Sequence, residues 1–191
     1  MKQELVKGHY AQTLMGLCDN HDLGSLRVGD VIAASGMSKP TFYHHFSNLS
    51  ELVNFAASRS YLGTGTVLFT ETNIKSAYDY ALDHRSFFLQ LPSQQGFGSF
   101  KETSRRWLRK KGYTLYKLTA LPRPERLRRI VQFDMFLSGT LDAMETWLAG
   151  GMVFPAEEIV DAVVSMMPPF MRGPGATAAG GQTWTLDDYP K

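Results

Sequence analysis

Along this chain apolar residues return at intervals of three and four positions, seldom two, so the pattern predicts helices nearly throughout and an all-α fold. Leu5, Tyr10, Leu14, Leu17 and Cys18 make the first half-buried stripe, and the turn formers Asn20-His21-Asp22-Leu23-Gly24-Ser25 end it. A short helix is predicted over about 28–35, burying Val28, Val31 and Ile32, and Gly36 supplies the positive φ of a tight turn. The next helix opens at Ser38, a good N-cap, and runs to about Phe46. Pro40 is tolerated there because the first N–H groups of a helix lack partners anyway. Asn48-Leu49-Ser50-Glu51 then reads as the capping box of a fourth helix.

After Gly63 and Gly65, residues 62–72 read as the connection to a second unit. Helical spacing resumes at Ala77, Tyr80, Ala81, His84, Phe87, Phe88 and Leu91, and Pro92 to Gly98 is a break. A basic helix is predicted over about 99–111 and a long one over about 125–149. The long helix carries two apolar stripes, Leu127, Ile130, Val131, Leu137, Leu141, Met144 and Leu148 on one, Phe133, Phe136 and Trp147 on the other. Two stripes imply burial on two sides. A last helix over about 155–167 is stopped by Pro168-Pro169. The stretch 173–191 has no amphipathic stripe and reads as a flexible tail.

Composition narrows the class. The single cysteine among 191 residues rules out an intramolecular disulfide and suits a reducing compartment. No segment is long and apolar enough for a bilayer, and the N-terminus lacks an apolar secretory core, so a cytoplasmic protein is expected. The net charge of +2 conceals segregation along the chain. Residues 101–130 hold eleven Lys/Arg against two Asp/Glu, whereas residues 131–191 hold two against eight. The basic stretch reads first as a solvated helix face, then as a surface steering DNA or an anionic partner.

The richest stretch is Arg27 to Leu52, a short helix, a glycine turn, a second short helix and a capped third. That is the helix-turn-helix order, in which the second helix of the pair lies in the DNA major groove. Met37, Phe42 and Phe46 suit the inner side, while Lys39, Thr41, Tyr43, His44 and His45 project outward or along the groove. Ser38 and Asn48 stand at the amino ends of the two groove-flanking helices, where N–H groups can meet phosphates.

Val28-x-Asp30-Val31, Gly36-Met37-Ser38 and Thr41-Phe42-Tyr43-His44-His45-Phe46, followed by Glu51-Leu52, resemble the TetR family of transcriptional regulators. The resemblance implies a helix-turn-helix DNA-binding domain over 1–56 and a helical domain over 65–170 that binds an effector and dimerises. It implies groove and phosphate contacts from Lys39, Pro40, Thr41, Tyr43, His44 and His45, with Arg27 and Val28 beside the DNA backbone. Ser86-Phe87-Phe88, Gly98-Ser99-Phe100 and Trp147-Leu148-x-Gly150-Gly151-Met152 are similar to one subgroup, which includes the activator of a dihydroxyacetone kinase operon. There the last two helices form a four-helix bundle with a second subunit. Ile130, Leu137, Leu141, Met144, Ile159, Val163 and Met167 are the matching interface residues, and Gly139 would allow a close crossing. The implied partners are palindromic double-stranded operator DNA, a second copy of the chain and a small-molecule effector.

For the effector pocket, Phe88, Trp107, Tyr116, Phe133 and Trp147 are the candidate lining. No catalytic residue, metal site or cofactor is expected. The adjacent imidazoles of His44 and His45 point about 100° apart on a helix and chelate one ion poorly. One alternative is a helical ligand-binding protein or enzyme whose helix-turn-helix is degenerate. Ile32, Leu49 and a 1–56 segment with four Lys/Arg against five Asp/Glu speak for it, because the family usually has a small residue and a lysine at those two positions.

Overall fold

Side-chain caps set the boundaries of the first helices. The structure is a computed structural model that describes residues 2–60, 69–93 and 97–172. Helix α1 spans Lys2–Leu17, α2 Val28–Ser35, α3 Lys39–His45 and α4 Leu49–Ser58. The Asp30 carboxylate accepts the Arg27 N–H at 2.7 Å at the start of α2. Ser38 Oγ accepts the Thr41 N–H at 3.2 Å, and Asn48 Oδ1 accepts the Glu51 N–H at 2.9 Å. The return bond of the expected capping box is displaced by one residue: Glu51 Oε2 accepts from Ser47, not Asn48, at 2.7 Å. Each such cap is worth about 1 kcal/mol. Gly36 joins α2 to α3 at φ 67°, the left-handed value that glycine adopts freely.

An aromatic column holds these four helices together. Tyr10 meets Phe42 edge-on at 5.3 Å, Phe42 lies 5.8 Å from Phe46, and Phe46 lies 5.4 Å from Phe55. His9 Nε2 bonds the Ser35 carbonyl at 3.0 Å and ties α1 to the end of α2. Two expectations need correction. Leu5 is 70% exposed, because five residues of helix turn through roughly 140° net and carry it away from the Tyr10 face. Val31 is the buried residue of α2, whereas Val28 and Ile32 are only half-buried.

Beyond residue 68 the chain continues as α5 (Glu71–Asp83), α6 (Arg85–Phe88), a 3-10 turn (Leu91–Ser93) and α7 (Phe97–Leu115). A second 3-10 turn (Leu118–Ala120), α8 (Arg123–Ala149), α9 (Ala156–Ser165) and α10 (Pro169–Arg172) complete it. The described residues contain no strand. The helical spacing of 77–91 proves discontinuous, since His84 leaves helical geometry at φ −118°, ψ 38°. Helix α7 begins at Phe97, inside the expected break, and Pro169 opens α10 after Pro168, so that dipeptide divides two helices. The expected tail 173–191 and most of the 62–72 connection lie outside the described residues.

Helix α8 packs against both α7 and α9, and α5 closes on α9. Its centre is Phe133, fully buried, with Phe69, Tyr113 and Tyr116 rings at 5.4, 5.8 and 5.9 Å. Gly112 of α7 makes this approach possible. A Cβ there would sit 2.0 Å from Phe133 Cζ.

The basic block of α7 faces the acids of α8. Lys101 pairs with Asp142 at 2.5 Å and also with Glu145, Arg105 lies 3.7 Å from Asp142, and Arg109 Nε donates to Asp134 at 2.9 Å. The Tyr113 hydroxyl takes the other Asp134 oxygen at 2.9 Å. Farther along, Arg128 and Arg129 both bond Glu125. Lys101, Arg105 and Arg109 are thus ion-paired within the chain, while Arg106 and Lys110 of the same helix are exposed.

One side chain stitches the two halves. Gln90 Oε1 accepts the Leu23 N–H at 2.6 Å, while its Nε2 donates to Ser86 O at 2.9 Å and Cys18 O at 3.3 Å. The segment after α6 is thereby fastened to the loop that leads into α2.

Candidate functional site

The surface of α3 divides cleanly. Phe42 and Phe46 point into the aromatic column and Met37 is half-buried, whereas Lys39, Pro40, Tyr43 and His44 are exposed. Lys39 and Tyr43 are four residues apart and so share one face, with Pro40 and His44 beside them. Tyr43 is 50% exposed, yet its ring stands edge-on to buried Phe42 at 5.4 Å, which limits where it can swing. Thr41 is half-buried and its hydroxyl lies 2.8 Å from Ser38 Oγ, so both are spent on the cap. His45 is half-buried, with its ring 4.8 Å from that of His44. Among the described residues no group of three or more His, Cys, Asp or Glu is placed to hold a metal ion.

The flanking candidates have local duties. Asn48 is exposed, but its carboxamide oxygen caps α4. Val28 is half-buried and offers little to a DNA backbone. Arg27 is exposed, and its Nη1 donates to the carbonyls of Gly24, Ser25 and Leu26 at 3.3, 3.3 and 3.1 Å. It therefore holds the turn before α2, and Asp30 offsets the unfavourable placement of a cation at that helix N-terminus.

The aromatic pocket candidates sit in the core. Phe88, Trp107, Tyr116, Phe133 and Trp147 are all buried, and none borders the cavity that α5, α7 and α8 enclose. That cavity, about 50 Å³, is bordered by Phe69, Ile74, Tyr78, Leu108, Leu141 and Met144. Trp147 is locked by Tyr78 at 5.1 Å and by its own indole N–H, which donates to the Phe154 carbonyl at 2.9 Å.

The interface candidates split in two. Leu137 and Leu141 are buried in the chain's own core, Met144 borders the cavity and Ile130 is half-buried, so these four leave little for a partner. Ile159, Val163 and Met167 border an open groove of about 700 Å³ between α8 and α9, together with Met135, Phe154 and Met166. The apolar row left uncovered on α8 is Leu127, Val131, Met135 and Gly139, spaced by four. The two-stripe reading of α8 placed Leu127 and Val131 with the buried set; the open row adds Met135, which that reading missed.

Gln90, Asp134 and Asp142 were also missed, because a bond to another helix leaves no periodic trace. Among the described residues no helix is long and apolar enough to cross a membrane. Compared with known proteins, the chain matches no family model and no curated sequence.

Proposed function

We propose that the chain is a TetR-type transcriptional regulator that binds palindromic operator DNA as a cytoplasmic homodimer under the control of a small-molecule effector. One observation carries this reading: α3 exposes Lys39, Pro40, Tyr43 and His44 as one surface while Phe42 and Phe46 of the same helix anchor it. A short helix clamped from behind and polar in front is what major-groove readout requires. The open apolar face of α8 and α9 supports a paired state, in which two copies of α3 would stand one DNA turn apart, about 34–36 Å. An effector that binds better at another spacing then shifts occupancy by its differential affinity. Release of a repressor is the mode the resemblance implies, and activation is its converse.

Anisotropy titration with the DNA upstream of the chain's own gene tests the proposal. Specific binding is expected, with a shallow salt dependence, because four Lys/Arg against five Asp/Glu in residues 1–56 leave few cations for phosphates. Tyr43→Ala should weaken specific binding by about tenfold or more, the worth of one lost base contact, while the dimer sediments unchanged. Equal affinity for operator and scrambled DNA at low salt refutes the reading. That result selects the helical ligand-binding or enzymatic alternative, which the acidic headpiece favours.

A further inference from the structure

The open groove between α8 and α9 has ends of opposite charge. At one end lie Pro168 and Pro169, and α10 leads from there to Arg172, the last described residue. The Arg172 guanidinium covers the end of α9, donating to the carbonyls of Val164, Ser165 and Met167. The first turns of α8 stand beside it, with Arg129 over the Phe170 ring at 5.2 Å. Arg128 lies one turn before Gln132, which borders the groove, and so shares its face of α8. Arg128 and Arg129 share a single acid, Glu125, so one positive charge is left over. At the other end stand Phe154 and Glu158. Between the ends the surface is apolar, with Met135 and Met166 exposed.

Residues 173–191 follow Arg172 directly, and their sequence complements this surface. The eleven residues 173–183 carry no charge and nothing bulkier than Gln182, and Trp184-Thr185-Leu186-Asp187-Asp188-Tyr189 then sets three large apolar groups around two acids. We propose that residues 184–189 dock in cis on the α8–α9 groove of the unpaired chain, with Trp184 and Leu186 against Met135, Ile159 and Met166, and Asp187 and Asp188 toward Arg128. Aromatic side chains gain most from such cover, each burying about 150–250 Å². The reach suffices. Residues 173–183 span up to roughly 36 Å and α9 is about 15 Å long, so the segment can enter the groove and turn back toward Arg128. A tether this short gives an effective concentration of about millimolar, which lets modest contacts hold. The groove cannot take a second copy at the same time, so the docked segment opposes pairing. The docking rests on the groove and residues 173–191 alone; its effect on pairing rests on the dimer of the regulator reading.

The test uses the full chain grown with 5-fluorotryptophan. The sequence has three tryptophans, and Trp107 and Trp147 are buried, so Trp184→Phe assigns the third fluorine signal. At the lowest protein concentration that signal should stand away from its position in a synthetic 173–191 peptide. Met135→Glu and Arg128→Gln, both at exposed positions, should each return it toward the peptide position. Leu5→Glu, at an exposed site on α1, should leave it in place. A wild-type signal at the peptide position, a displacement that appears only as concentration rises, or one that neither groove variant moves overturns docking in cis. Sedimentation velocity of Trp184→Ala reads the effect on pairing. With about seven grooves in ten closed, both copies must open to pair, so freeing them should tighten association by roughly tenfold. Unchanged association there refutes the control of pairing. A chain that stays monomeric while its signal is displaced refutes the dimer and upholds the docking, so the two failures are distinct.

Discussion

Gly112→Ala should destabilise the chain, against the ordinary gain from replacing glycine within a helix. At this position the new Cβ would lie 2.0, 2.5 and 2.9 Å from three ring carbons of Phe133, where carbon contacts settle at about 3.5–4.0 Å. The ring must withdraw by roughly 1.5 Å, a distance set by that same contact optimum. Phe133 is fully buried, and Phe69, Tyr113 and Tyr116 close the routes of retreat. Overpacking of this kind costs about 1–3 kcal/mol, and so deep an overlap belongs at the upper end. The helix-propensity gain of alanine returns about 1 kcal/mol. The net is a loss of about 2 kcal/mol, or a Tm lowered by roughly 4–8 °C for a chain of this size. Gly16→Ala is the matched control, since its Cβ meets nothing within 4 Å and should cause no loss. Thermal unfolding followed by circular dichroism measures both. If Gly112→Ala melts at or above the wild-type temperature, the packing of α7 on α8 is not as described.

Met135→Glu should dissociate the proposed dimer in sedimentation velocity yet leave monomer stability nearly unchanged, because Met135 is 71% exposed; Leu137→Ala, in the core, should cost about 2–5 kcal/mol. Unaltered association of Met135→Glu would remove α8 from the interface. Gln90→Met keeps the length of the side chain but deletes the latch, costing about 1 kcal/mol and speeding hydrogen exchange at Leu23 while Val31 stays protected. Equal exchange at Leu23 would show that the latch does not hold the loop. Burial, assisted by Arg59 and opposed by Asp83 and Asp19, lowers the His84 pKa below its ordinary 6.5. The unfolded chain therefore takes this proton first as pH falls. Stability due to the neutral imidazole is present above about pH 6.5 and is lost as acid passes through that value toward the folded pKa. Urea titrations of His84→Phe should show a shallower acid loss, and an unchanged slope would exclude His84 as its source.

Features written in adjacent residues were legible in the sequence. Ser38 and Asn48 cap the helices they were expected to cap, Gly36 takes a positive φ, and Phe42 and Phe46 are buried while Tyr43 is exposed. These depend on bonds spanning three or four residues. Features that depend on how helices meet were not legible. Leu137 and Leu127 have equal claims by periodicity, and the placement of α7 and α9 around α8 decides which is covered. The large aromatics were the natural choice for a pocket, yet they are the residues that best fill space. The segregation of charge between 101–130 and 131–191 was legible, but the pairing of Arg109 with Asp134 and of Lys101 with Asp142 required the register of α7 on α8.

The uncovered groove between α8 and α9 gives the chain a particular sulfur chemistry. Cys18 is buried, and burial together with Asp19 and Asp22 pushes its thiol up to about 12, so almost no thiolate is present to meet an oxidant. Met135 and Met166, by contrast, project into the groove at 71% and 77% exposure. Peroxide would convert these thioethers to polar sulfoxides, and methionine sulfoxide reductases would reverse the change. Oxidative damage to the unpaired chain should therefore fall first on the surface proposed for pairing, and pairing should spare the thioethers that it covers.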